Sequence, residues 1–298
     1  MRKAIEESRK VLARAGRSFY DRQMTHHAAA LTYYSLMSLF PAALLALSLL
    51  GLLGEYPSTY RAIVDYLRDV VPGPVLHALD RSLSTALRHR GAAVGALLVG
   101  ALSALYGSTG FLEAVRRALN VVFEAASGRG FLRRKAVDTV STLVLMVLVL
   151  VTLTLIFVGG RFARDVFGFI GLGAGASDVW AVARWPAAAV SATLAFAWVY
   201  YTTPDVRPRS FRWVTPGAAL GVCVWLVASL GFSFYLTHYF TRVSAVYGAF
   251  TVLIVLVVWL WLSNAALLLG AVVNAEIERE RQLDEGVPPH ATLALPGR

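Results

Sequence analysis

Six histidines, His26, His27, His77, His89, His238 and His290, are the side chains of this 298-residue chain best suited to hold a metal or move a proton near neutral pH. None of them stands at the HExxH spacing that sets two imidazoles and a carboxylate on one helical face. His26 and His27 are adjacent, so on a helix they point about 100° apart and make a poor pair of ligands. Cys223 stands alone in an apolar stretch, which leaves no disulfide and no thiolate metal cluster. A nucleophile elbow, a P-loop and a dinucleotide-binding glycine motif are all missing from the sequence. The residues therefore point to no catalytic site, no metal and no cofactor, and the enzyme classes fall away.

Three sets of polar residues remain, each with a different use. Tyr33, Tyr34, Ser35 and Ser38 precede Pro41 in a long apolar run. A proline there removes a backbone donor and bends the helix, and nearby hydroxyls can re-satisfy the freed carbonyls. Bent, hydroxyl-bearing helices of this kind line substrate paths in transporters, and a plain kinked span is the simpler reading. Glu113, Arg116, Arg117 and Asn120, with Asn274 and Glu276 far along the chain, form a second set. Glu113 lies three and four residues before the two arginines, which allows intrahelical ion pairs. This set is a candidate gate at the cytoplasmic mouth of a cavity, or polar glue between helices. Arg61 and Arg68, then Arg81 and Arg88, lie seven residues apart in pairs and so share a helical side. They are candidates for docking an anionic headgroup from outside, or serve as solubilising charge.

The elements that must carry these residues are membrane helices. Apolar residues make up 57% of the chain and charged residues only 15%, against about 25% in soluble domains. Mean hydropathy is +0.61. The formal net charge is +10, but the cations fall between apolar runs, where topology and lipid headgroups account for them without a nucleic-acid partner. Charge is costly at the bilayer centre, so charge-free intervals serve as a ruler. Six are long enough to span, at about 28–54, 91–112, 139–160, 185–204, 213–241 and 243–275. The expected fold is an all-α bundle of six transmembrane helices, occupying residues 23–280.

Residues 1–22 read as a cytoplasmic basic amphipathic helix, with Ile5, Leu12, Ala15 and Phe19 along one face. No cleavable signal segment is expected, and the first span serves as the targeting signal. An external amphipathic hairpin is expected at 57–89, turning at Val71-Pro-Gly-Pro74. Residues 281–298 read as a disordered cytoplasmic tail. With the N-terminus inside, cytoplasmic segments hold 19 Lys and Arg residues and external segments 9. The positive-inside rule then places both termini in the cytoplasm. Thr215 and Pro216 read as the cap and first-turn proline of the fifth span.

The stretch Ala28-Ala-Ala-Leu-Thr-Tyr-Tyr-Ser-Leu-Met-Ser-Leu-Phe-Pro41 resembles the first-span signature of the YihY/BrkB family of bacterial inner-membrane proteins. Arg117-Ala-Leu-Asn120, Thr215-Pro-Gly-Ala218, Phe234-Tyr235, Tyr247-Gly248, Leu269-Gly270-Ala271 and Asn274-Ala275-Glu276 match in the same order. The similarity covers about residues 15–280, and Val272-Val273 depart from it where an acidic residue often follows Gly-Ala. The resemblance implies six spans, cytoplasmic termini and a role in the cell envelope. A ribonuclease label carried by that family finds no metal-ligand cluster or acidic triad in these residues. The expected function is transporter-like handling of an anionic amphiphile, a lipid or lipid-linked glycan, in the plasma membrane. The alternative is a non-catalytic scaffold that binds other envelope proteins. Membrane lipids are the expected partners, nucleic acid is not, and oligomeric state is left open.

Overall fold

The computed structural model describes residues 2–53, 64, 95, 99, 110–125, 130–157, 173–206, 215–247, 250–288 and 292–297. Among these the chain is helical: α1 is Arg2–Asp21, α2 Met24–Leu53, α3 110–122, α4 Phe131–Phe157, α5 Gly173–Thr202, α6 Pro216–Tyr247 and α7 Phe250–Asp284. No β-strand occurs among the described residues, and one isolated bridge joins Val206 to Gly297. The all-α membrane reading holds. Four of the helices, α4 to α7, are long and apolar enough to cross a bilayer. Much of the interval expected as the second span, and all of the external hairpin but Val64, including Arg61, Arg68, Arg81 and Arg88, lie outside the described residues.

Helix ends differ from the apolar intervals in an instructive way. The fourth interval begins at residue 185, yet α5 starts at Gly173 and carries Arg184 and Pro186 within it. The Arg184 guanidinium lies 5.1 Å from the centroid of the Trp185 ring, a cation over an aromatic face. The helix α6 runs past Arg242 to Tyr247, and α7 continues from its apolar stretch to Asp284. A helix needs its backbone bonds satisfied whether or not it lies in lipid, so it continues past the apolar stretch while its polar end sits in headgroups or water. Of the expected disordered tail, residues 281–288 and 292–297 are described and are ordered against the chain. The first of them complete α7, Leu293 is buried, and the backbone N–H of Ala294 donates to Gln282 Oε1 at 3.0 Å.

Two compact units divide the chain, one formed by 1–28, 112–229 and 262–298, the other by 29–111 and 230–261. In the first unit α4 packs on α5, joined inside by Thr152 Oγ1 and Ser191 Oγ at 2.9 Å. Where α6 and α7 meet, glycine decides the distance. A Cβ on Gly217 would run into the Gly270 carbonyl oxygen and Asn274, and one on Gly270 into the Gly217 carbonyl oxygen and the Tyr200 hydroxyl. This is the close approach that small residues allow in membranes, where lipid tails are as apolar as side chains and packing must drive association. Tyr200 Oη donates to the Leu267 carbonyl at 2.5 Å and ties α5 to the same crossing. In the second unit, Gly110 lets the Tyr34 ring lie flush, since a Cβ there would stand 3.1 Å from the ring.

Candidate functional site

Arg116 leaves α3 on its buried side and meets Asp138, about two turns into α4, in an ion pair. Its Nε reaches the Thr203 carbonyl at 3.3 Å and lies 3.9 Å from Asp205 Oδ1, just after α5. Side-chain exposures of 4% for Arg116, 8% for Asp138 and 3% for Asp205 put all three out of water. Asn120, one turn along α3, completes the group by a reciprocal pair of bonds. Its Nδ2 donates to Asp205 Oδ2 at 2.9 Å, and its Oδ1 accepts from the Asp205 backbone N–H at 3.0 Å. One guanidinium with two carboxylates is an arrangement that persists out of water only with each charge paired and hydrogen-bonded.

The sequence placed Arg116 and Arg117 together as partners of Glu113. The structure separates them, because successive helical residues point about 100° apart. Arg117 stays exposed and pairs with Glu113 at 2.6 Å, the ordinary surface pair one turn back. Arg116 turns inward to aspartates that the sequence reading passed over. Asp138 and Asp205 each lie at the edge of an apolar run, beside residues 139 and 204, which was the only signal available.

A second cluster gathers where α1 ends and α3 ends. Glu124 adopts φ 53°, the left-handed region, and turns the chain out of α3. Its carboxylate accepts from Arg22 Nη2 at 2.5 Å, from Arg279 Nη2 at 2.5 Å and from the Leu293 backbone N–H at 3.0 Å. Burial pushes this carboxyl up, but the Leu293 amide and the two guanidiniums outweigh it and hold it below its ordinary value. Arg22 also donates to the Val121 and Val122 carbonyls at 2.7 and 3.0 Å, a cation closing the carbonyl end of α3. Gln23, at φ 54°, makes the turn between α1 and α2 beside it.

Asn274 and Glu276, expected at the gate, have structural partners. Asn274 Oδ1 accepts from the Gly217 N–H at 2.9 Å and its Nδ2 donates to Thr215 Oγ1 at 3.0 Å. Thr215 Oγ1 in turn accepts from the Ala218 N–H at 3.1 Å, the cap read from the sequence. Glu276 is buried, 3.6 Å from Arg14 Nε on α1, and Arg14 also pairs with Glu280. The structure thus joins Arg116 to Asn120 through Asp205, and places Asn274 at the start of α6 and Glu276 beside Arg14 of α1.

In α2 the serine hydroxyls bond carbonyls other than that of Met37, the one a proline at position 41 frees. Ser35 Oγ donates to the Leu31 carbonyl and Ser38 Oγ to the Ser35 carbonyl, both at 2.8 Å. Tyr33 and Tyr34 are exposed and meet edge to face at 5.3 Å. Pro41 lies within the α2 backbone. Among the described residues no three His, Cys, Asp or Glu side chains group to hold a metal.

The family model described as Virulence factor BrkB matches residues 15–293. The chain is 28% identical over 262 residues to the ribonuclease-like protein YfkH of Bacillus subtilis, covering 88% of this chain and 93% of that one. It is 27% identical over 293 residues to a UPF0761 membrane protein of Xanthomonas campestris, covering 95% of this chain and 65% of the relative, so it spans about two thirds of that protein. The inner membrane protein YhjD of Escherichia coli is 28% identical over 211 residues, 66% of this chain and 61% of its own. No solved structure matches this one. With apolar helices of spanning length, and a match over nearly its whole length, the chain belongs to the BrkB family of membrane proteins.

Proposed function

We propose that this protein sits in the bacterial inner membrane with both termini in the cytoplasm and handles an anionic amphiphile, a lipid or lipid-linked glycan, in a transporter-like way. The orientation rests on the 19 Lys and Arg residues of the segments that would then be cytoplasmic, against 9 outside. The observation that carries the functional reading is the polarity of α2. Over two turns this apolar helix exposes Tyr33 and Tyr34 and back-bonds Ser35 and Ser38, a hydroxyl track ahead of Pro41. An amphiphile offers such a track a polar headgroup and gives the flanking apolar surface its chains. The name of the Bacillus relative does not carry over here, and the protein acts without catalysis.

Purified protein in liposomes tests the reading, with a fluorescent anionic phospholipid followed from one leaflet to the other. Wild type is expected to accelerate exchange, and Tyr34→Phe with Ser35→Ala to slow it several-fold at unchanged thermal stability. Exchange no faster than in empty liposomes overturns it. The scaffold reading would then be favoured by a stoichiometric envelope-protein partner recovered from the same membranes.

A further inference from the structure

The chain does not run straight on from α7 but comes back against it. Gly286, at φ 89°, takes the left-handed conformation that closes a helix. Its N–H bonds the Leu283 carbonyl at 3.0 Å, and the Val287 N–H bonds the Gln282 carbonyl at 2.9 Å. Residues 292–297 then reach three elements of one compact unit. The Leu293 N–H donates to Glu124 at the end of α3, and the Ala294 N–H donates to the Gln282 side chain on α7. Gly297 bridges to Val206, the residue after Asp205. Leu293 and Val206 are buried, as are Gln282 and Asp205.

These tethers can part without leaving a charge behind. Glu124 keeps Arg22 and Arg279 when the Leu293 N–H leaves, and the Gln282 amide keeps its bond to Glu278 Oε1 at 3.1 Å. The Arg116 pair is the opposite case, since its rupture orphans a buried charge. One buried leucine and three backbone contacts must offset the entropy of ordering residues 292–297, and gain and cost are of similar size. A segment so balanced opens locally while the rest of the fold stays closed. What it holds is the end of α5. There the Thr203 carbonyl accepts from Arg116, and Asp205 is bonded through its carboxylate and its N–H to Asn120, both partners lying on α3. By gripping Glu124 and Val206 together, one short segment fastens α3 to the end of α5.

We propose that residues 292–297 are a releasable strap, which keeps the ends of α3, α5 and α7 closed around the Arg116 network and admits water to Asp205 when it lifts. The strap is independent of what the protein handles. Hydrogen exchange of the full chain in nanodiscs, with Cys223→Ser throughout, tests it in two variants. Leu293→Ser removes the buried anchor. Val206→Cys with Gly297→Cys, oxidised, locks the bridge, where facing residues stand close enough for a disulfide and position 297 has open space for a side chain. Exchange of the Thr203 and Asp205 amides is expected to rise about tenfold in Leu293→Ser, and to fall below wild type in the locked chain until the disulfide is reduced. Amides of α4 are expected to exchange as in wild type throughout. Faster exchange confined to residues 292–297 overturns the proposal, because the strap would then shield nothing. A locked chain that exchanges as wild type does also overturns it, since the strap would never lift. So does a rise that extends through α4, which would make the segment part of the core, or a cysteine pair that does not cross-link.

Discussion

The helices α4 and α5 are involved in two polar contacts of opposite character. Inside the apolar run of each, Thr152 and Ser191 share a hydrogen bond and both lean on the Leu148 carbonyl. About 21 Å away along α4, Asp138 meets Arg116, with Asp205 beyond the end of α5. The apolar run holds neutral hydroxyls whose alternative partner is the Leu148 carbonyl. The end holds formal charges with no such fallback. In an apolar medium the first contact adds little when made and costs little when lost, while the second is costly to break because a charge stays behind.

Removing the cation at the end is the hardest test of that contrast. Arg116→Met leaves two carboxylates out of water and is expected to cost about 3–5 kcal/mol, read by unfolding in detergent. Adding Asp138→Leu to it is expected to recover part of that loss, since an apolar replacement of both partners leaves one fewer orphan charge. If Arg116→Met costs no more than a hydroxyl deletion, the contrast fails.

Backbone proximity gives the next largest effect. Gly270→Ala would press a methyl on the Gly217 carbonyl and the Tyr200 hydroxyl, and about 1–3 kcal/mol of destabilisation is expected from the same measurement.

Glu124 sharpens the comparison by lying in a less buried place. A carboxyl held below its unfolded value stabilises the fold near neutral pH, and that contribution is lost as pH falls through its folded value. Acidification is therefore expected to lower the melting temperature, and Glu124→Gln to remove part of that acid dependence while loosening residues 292–297 to proteolysis. An unchanged acid profile in the variant would assign the dependence to other carboxylates. The smallest effect is expected at the hydroxyl contact, where Thr152→Val should cost about 0.6 kcal/mol, near the resolution of the measurement.

The two clusters were unequally legible beforehand. Arg116 and Asn120 stood out because they are polar at the end of an apolar run on one helix. Their partners come from α4 and from the turn after α5, and nothing in the spacing of Asp138 or Asp205 ties them to α3. Glu124 gave no sign of its role, because its three donors come from residues 22, 279 and 293.

By itself the sequence determined that this is a helical membrane protein, since charge-free runs of spanning length have no other stable fate. It also determined the Thr215 cap, which depends only on residues within four positions. Tertiary structure alone decided which arginine turns inward, which face of α1 stays free and where the residues after Asp284 settle. Each of those is a choice among faces of a helix, and a face acquires its meaning only from the chain packed against it.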